Sequence, residues 1–140
     1  YTCHTDPKVH LDAIERGYPW DTVQMPLNLT DYHNEGSFVR DVLPLAVEND
    51  IGIIGMKSNA GGKQSKSGVA TPTEGLKFAM SLPAATVVSG IDSIEIMEEN
   101  LALFNEFEPM GEDERNSLLK KSEGLSASVE AYRSKSYRNA

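Results

Sequence analysis

The chain has 140 residues, 39% of them hydrophobic and 24% charged, with a formal net charge of -8. That composition suits a single globular domain with its own core and excludes a disordered polymer. The acidic balance argues against nucleic acid or an anionic membrane as partner, because both reward clustered Lys and Arg, and a solvated acidic face accounts for it.

The single cysteine, Cys3, has no partner for an internal disulfide, and nothing else points to a secreted framework. No apolar run approaches the ~20 residues of a membrane helix, and no basic-then-apolar leader opens the chain. A cytoplasmic location fits these features, which leaves the Asn28-Leu29-Thr30 glycosylation pattern idle. The chain opens on Tyr1 inside what reads as a structured region, so a fragment or processed product is expected.

Apolar β-rich runs alternate with helical patterns, the signature of parallel βαβ units. Residues 7–16 form a short helix with Asp6 as N-cap, Pro7 at the first position and Gly17 as stop. A strand follows over residues 21–27. Phe38, Val42, Leu45 and Ala46 recur at helical spacing within residues 36–49, with Pro44 bending the middle. Residues 51–56, IGIIGM, read as a strand buried on both faces.

A polar Gly/Ser-rich loop over residues 57–70 then leads to Thr71-Pro72-Thr73-Glu74, which has capping-box spacing and Pro at the first helical position. That helix runs to about Leu82, and residues 85–90 make the third strand. Asp92 and Glu95 predict a capped helix whose apolar face is Ile96, Met97, Leu101 and Phe104, ended by Pro109. A short charged helix spans residues 112–121, and residues 123–140 read as a partly ordered tail.

Isolated motifs assign little chemistry. Residues 52–65, GIIGMKSNAGGKQS, suggest a phosphate loop, yet Lys57 stands where a Walker A motif needs Gly, and Lys63 is followed by Gln64 rather than Ser or Thr. No G-x-G-x-x-G fingerprint is present. His4, His10 and His33 have no metal-ligand spacing. Cys3 and His4, adjacent on a strand end, would face opposite ways and read as a solvated terminus. Asp92, Glu95, Glu98 and Glu99 read as a charged helix face, its first members favoured by the helix dipole. Asn100 is a poor helix former, and a hydrogen-bonding task explains it better than propensity does.

Taken in order, DTVQMPLN, IGIIGMKSNAGG, TPTEGLKFAMSLP and VVSGIDSIEIMEEN resemble the C-terminal half of the aldo-keto reductase family, particularly its bacterial branch, over residues 1–119. The resemblance implies an α/β fold, the last three to four βα units of a (β/α)8 barrel, occupying residues 1–122. A complete barrel typically takes ~250 residues. It also implies a nicotinamide dinucleotide, NADP or NAD, bound where the strands end. Thr2 and Cys3 then fall where a Ser-Asn pair contacts the carboxamide, Gln24 matches the glutamine that does the same, and Met56 covers the nicotinamide face. Lys57, Ser58, Gly61 and Gly62 fall on the pyrophosphate loop. Ile91, Asp92, Ser93, Glu99 and Asn100 fall on the adenosine side, where a Glu-Asn pair reads the adenine amino group.

Gly90 and Ile96 replace the Lys and Arg that hold a 2'-phosphate in many members, which leaves NAD and NADP both open, and Gly111 replaces a capping Ser or Thr. The Tyr, Lys, His and Asp that reduce a carbonyl in this family lie on earlier strands. Tyr1, Tyr18, Tyr32, Tyr132 and Tyr137 have no matching context, so no catalytic residue is assigned. The resemblance thus implies a half-barrel of an NAD(P)H-dependent oxidoreductase whose small carbonyl or alcohol substrate is bound by the complete barrel, with the missing N-terminal half as a partner. A non-catalytic nucleotide-binding or regulatory module is the alternative, and an independent α/β phosphate-binding domain is a third.

Overall fold

The structure is a computed structural model that describes residues 1–128. The last twelve residues of the expected tail lie outside the described residues. It is a mixed α/β fold with a three-stranded parallel sheet in the sequential order β1 (Thr22–Pro26), β2 (Gly52–Met56), β3 (Thr86–Val87). Thr2 adds a parallel bridge to Gln24, so residues 1–3 act as a fourth strand position outside β1. The first helix, α1 (Pro7–Glu15), starts as its sequence dictates: the Asp6 side chain accepts from the Lys8 amide at 2.9 Å, and Pro7 fills the first turn. Gly17, at φ +69°, follows it.

The second helical segment is more irregular than a bent α-helix. Residues Phe38–Val42 form a π-helix before α2 (Leu43–Glu48), and the Leu43 amide reaches back to the Phe38 carbonyl. Pro44 has no amide to give, and its ring crowds the carbonyl four residues earlier, so the preceding turn widens. The expected loop after β2 is also partly helical, with a 3-10 turn at Ala60–Gly62 and the short α3 (Lys63–Lys66).

The capping box at Thr71 and Glu74 forms in both directions, at 2.7 and 3.1 Å, and opens α4 (Pro72–Met80). Helix α5 (Ile94–Asn105) is capped by Ser93, whose hydroxyl accepts from the Ile96 amide, rather than by Asp92. Helix α6 (Glu112–Ser122) begins at Gly111 without a side-chain cap, and a 3-10 segment, Glu123–Ser128, follows it.

One face of the sheet is covered. Val23, Met25 and Ile53 are buried with Phe38, Val42, Ala46, Phe78 and Ala79, and this is the main core. The other face carries Thr22, Gln24, Ile54, Met56 and Thr86, none of them buried, with Pro26 at the end of β1 as its buried exception. Strand β2 therefore alternates in burial, where sequence alone predicts burial on both faces. Alternation is what a pleated strand shows when only one layer of helices packs on it. Of the apolar side expected of α5, Met97, Leu101 and Phe104 are exposed and Ile96 is half-buried; Ile94 is exposed as well, and no residue of this helix is buried.

Beneath the sheet edge, His10 is fully buried. Its Nε2 lies 3.0 Å from the Cys3 carbonyl, and its Nδ1 has no hydrogen-bond partner. Phe38 meets the ring edge-on, and Tyr1 packs against it at a tilt. Burial holds the imidazole pKa below its ordinary 6.5, outweighing the backbone hydrogen bond. The unfolded chain thus takes up this proton at a higher pH than the folded one does. The stability contributed by neutral His10 is present above pH 6.5 and is lost as pH falls through the lower folded value. Urea unfolding at pH 7.5 and pH 5.5 tests this: the midpoint should fall on acidification in the wild type and fall less in His10→Gln, which retains a donor for the Cys3 carbonyl.

Candidate functional site

The candidate site lies where parallel strands end, because all βα loops leave the sheet on that side. The geometry begins with a register row. Thr2 bridges Gln24, Gln24 is level with Ile54, and Ile54 is level with Thr86. Since Cβ direction alternates along a strand, this row stands on the uncovered face of the sheet. Met56, opposite Pro26, ends β2 on the same face and is half-buried.

The chain turns sharply after Met56. Lys57 and Ala60 have positive φ, +55° and +49°, followed by Gly61 and Gly62 at +66° and +81°. Nothing lies within 4 Å of a side chain built on Gly61, so there the glycine serves the backbone conformation and leaves the turn open. Lys57 is exposed, whereas Ser58 is buried.

A buried polar network fixes this turn to the loop after β1. The Asn28 amide donates to the Lys57 carbonyl at 3.1 Å, and its oxygen accepts from the Thr30 hydroxyl and the Asp31 amide at 2.8 and 2.9 Å. Gln64 bridges the same two loops, accepting from the Leu29 amide at 3.0 Å and donating to the Ser58 carbonyl at 3.1 Å. The Asp31 carboxylate in turn accepts from the Ser37 hydroxyl and the Val39 amide at 2.8 and 2.9 Å, which ties the network to the π-helical segment. Asn28, Thr30, Asp31, Ser37 and Gln64 are all fully buried. Sequence reasoning missed these residues, although Gln64 was already conspicuous as the residue that breaks the Walker pattern. Asn28 is a buried hub of this network rather than a surface acceptor for a glycan.

From below, α4 presses against the turn at Gly75. A Cβ there would meet Asn59 Oδ1, Gln64 Nε2 at 2.7 Å and the Ser58 carbonyl at 3.1 Å. Asn59 Oδ1 is itself buried without a hydrogen-bond partner.

Cys3, expected at a solvated strand end, is half-buried, with its sulfur 3.5 Å from the Thr5 hydroxyl. Burial pushes the thiol up, but hydrogen bonds with the Thr5 side chain and the nearby backbone outweigh this and hold it below its ordinary value. The structure thus brings Thr2, Cys3, Gln24, Met56, Lys57 and Ser58 to neighbouring strand ends.

The expected adenosine side is arranged differently. Ile91 and Asp92 are exposed after β3, Ser93 is used as a helix cap, and Glu99 is exposed on α5. Asn100 turns inward and donates to the Ser89 hydroxyl at 3.1 Å. It lines a cleft of about 330 Å³ between α4, β3 and α5, with Met80, Val87 and Phe104 among its apolar walls. Of the described tyrosines, Tyr1 and Tyr18 pack on Trp20, and Tyr32 packs on His33. Among the described residues no cluster of His, Cys, Asp or Glu could hold a metal, and no helix is long and apolar enough to cross a membrane.

No family model, curated protein or solved structure matches this chain.

Gly75→Ala separates two opposed effects. Helix propensity alone would stabilise α4 by about 1 kcal/mol, whereas forcing a methyl into the loop above should destabilise by about 1–3 kcal/mol. Crowding should win, because two of the three neighbours are buried amide groups and the third is backbone. A lower urea midpoint with unchanged slope is the expected result.

Proposed function

We propose that the chain is the C-terminal half-barrel of an aldo-keto reductase-like oxidoreductase, holding much of an NAD(P)H surface and none of the groups that protonate the substrate. The observation that carries this reading is the register row from Thr2 through Gln24 and Ile54 to Thr86, in sequential parallel order on an uncovered face. A strand order of this kind with helices on one side is the local pattern of a barrel wall, and the open face corresponds to its interior.

On this reading Thr2, Cys3 and Gln24 offer polar groups to a carboxamide, and Met56 supplies a polarizable thioether to a ring face. Lys57 and the open Gly61-Gly62 turn receive the pyrophosphate, with the Lys57 charge as counter-ion. Exposed Ile91, Asp92 and Glu99 are available to the adenosine half. Ser93 and Asn100 contribute there only by exchanging their present partners, the Ile96 amide and the Ser89 hydroxyl. The cofactor supplies the hydride. This chain's residues bind and orient it, while the proton donor and the pocket for a small carbonyl or alcohol belong to the other half of the barrel.

The single thiol gives a direct test. Saturating NADPH or NADH should slow alkylation of Cys3 by N-ethylmaleimide several-fold, and Lys57→Ala should weaken that protection without changing the rate in the absence of nucleotide. Equal alkylation rates with and without either nucleotide would remove the cofactor assignment. If protection is seen but hydride transfer is absent even with a complementary half-barrel, the non-catalytic nucleotide-binding reading takes its place.

A further inference from the structure

The buried side-chain amides of Asn28 and Gln64 are oriented in the same sense. Each turns its oxygen to the loop after β1 and its nitrogen to the turn after β2. The Asn28 oxygen accepts from the Thr30 hydroxyl and the Asp31 amide, and its nitrogen donates to the Lys57 carbonyl at 3.1 Å. The Gln64 oxygen accepts from the Leu29 amide, and its nitrogen donates to the Ser58 carbonyl at 3.1 Å.

This common orientation separates the donors of the turn from its acceptors. Four carbonyls are held by the protein: Lys57 by Asn28 and by the Ala60 amide at 2.8 Å, Ser58 by Gln64, Asn59 by the Gly62 amide at 2.8 Å, and Gly62 by the Ser65 hydroxyl at 3.1 Å. The Asn59 side-chain oxygen is turned down as well, onto Gly75 of α4. The backbone amides of Lys57, Asn59 and Gly61, none of them a buried residue, donate to no acceptor among the described residues. Left-handed backbone at Lys57, Ala60, Gly61 and Gly62 carries the turn, and successive N–H groups in such a segment form a concavity of positive sign. The side-chain charges agree in sign: residues 51–73 hold three lysines and no acidic residue, in a chain of net charge -8.

Resting on the reading of this turn as a pyrophosphate site, we propose that Asn28 and Gln64 are positioning residues for anion binding. By holding the Lys57 and Ser58 carbonyls inward, they leave the amides of the turn and the Lys57 ammonium as the groups that meet a phosphate. Both places require an amide. A carboxylate accepts from the loop after β1 but has no proton for the carbonyl opposite, and its charge repels the anion.

Backbone amide resonances and inorganic pyrophosphate test this on the whole chain. In the wild type, pyrophosphate should shift the Lys57, Asn59 and Gly61 amides together and saturably. Asn28→Ala and Gln64→Leu, with an unchanged far-UV circular dichroism spectrum, should each weaken pyrophosphate binding about tenfold, as expected for one lost hydrogen bond. Asn28→Asp should bind more weakly still at pH 8. On acidification its affinity should rise past that of Asn28→Ala at the same pH, because the protonated carboxyl donates to the Lys57 carbonyl again. Neither loss of fold nor loss of charge alone gives that profile. Should Asn28→Ala fail to fold, the wild-type shifts and Gln64→Leu carry the test. Unmoved turn amides in the wild type, or neutral variants that bind pyrophosphate as tightly as the wild type, would overturn the proposal. Cys3 alkylation keeps the wider reading apart. Protection by NADPH with unmoved turn amides retains the cofactor assignment and removes the positioning role, whereas shifted amides and weakened variants without protection retain the anion turn and remove the dinucleotide.

Discussion

The side-chain amide of Gln64 clamps the loop after β1 to the turn after β2. One end accepts the Leu29 amide and the other donates to the Ser58 carbonyl, and the residue is fully buried. Each of these backbone groups lies away from water, and an unpaired one costs about 1–3 kcal/mol. Without the bridge the loop after β1 and the turn after β2 lose one of the anchors that fix the relative placement of Met56 and Lys57. Asn28 repeats the arrangement one position earlier by holding the Lys57 carbonyl. The positive φ at Lys57 is sustained by these surroundings, since a lysine in isolation disfavours it.

That clamp also dictates what lies beneath it. Carbonyls and amides that point down from the turn leave no space for a side chain on the first turns of α4, which is why residue 75 is glycine inside a helix. Further around, Ser122 and His33 repeat the principle at the C-terminal end. His33 Nε2 lies 2.8 Å from the Leu119 carbonyl and 3.0 Å from the Ser122 hydroxyl, which docks α6 against the loop after β1. The Lys77–Glu114 ion pair between α4 and α6 is solvent-exposed, and such a pair adds little beside the buried bonds.

The parts legible in the sequence are those governed by local chemistry. Asp6-Pro7, the Thr71-to-Glu74 box and the alternation of strand and helix each act within a few residues, and each forms as its residues dictate. Long-range packing was less legible. IGIIGM reads as a strand buried on both faces, yet the sheet supplies cover on one side only, and nothing within those six residues records which layer is present. Asp92 and Ser93 both have cap chemistry, and the choice between them depends on the backbone leaving β3. At the candidate site, the exposed turn was visible as glycines beside a lysine. Gln64 and Asn28, which hold it, were hidden because polar residues in a loop look alike until burial separates them.

The contrast between the two sides of the sheet decides how the fold should be understood. On the helix side the molecule satisfies itself, with aromatic and aliphatic side chains from α1, α2 and α4 meeting the strands. On the other side an isoleucine and a methionine stand in a row of polar groups, and the next helix around, α5, leaves its apolar stripe in water. A single exposed leucine requires no explanation, but four apolar residues at helical spacing beside an open strand edge form a contiguous patch of the kind monomers rarely maintain. Thr86 and Val87 of β3 line one cleft with Asn100 and Phe104 of α5, so the open strand edge and the bare helix stripe border the same surface.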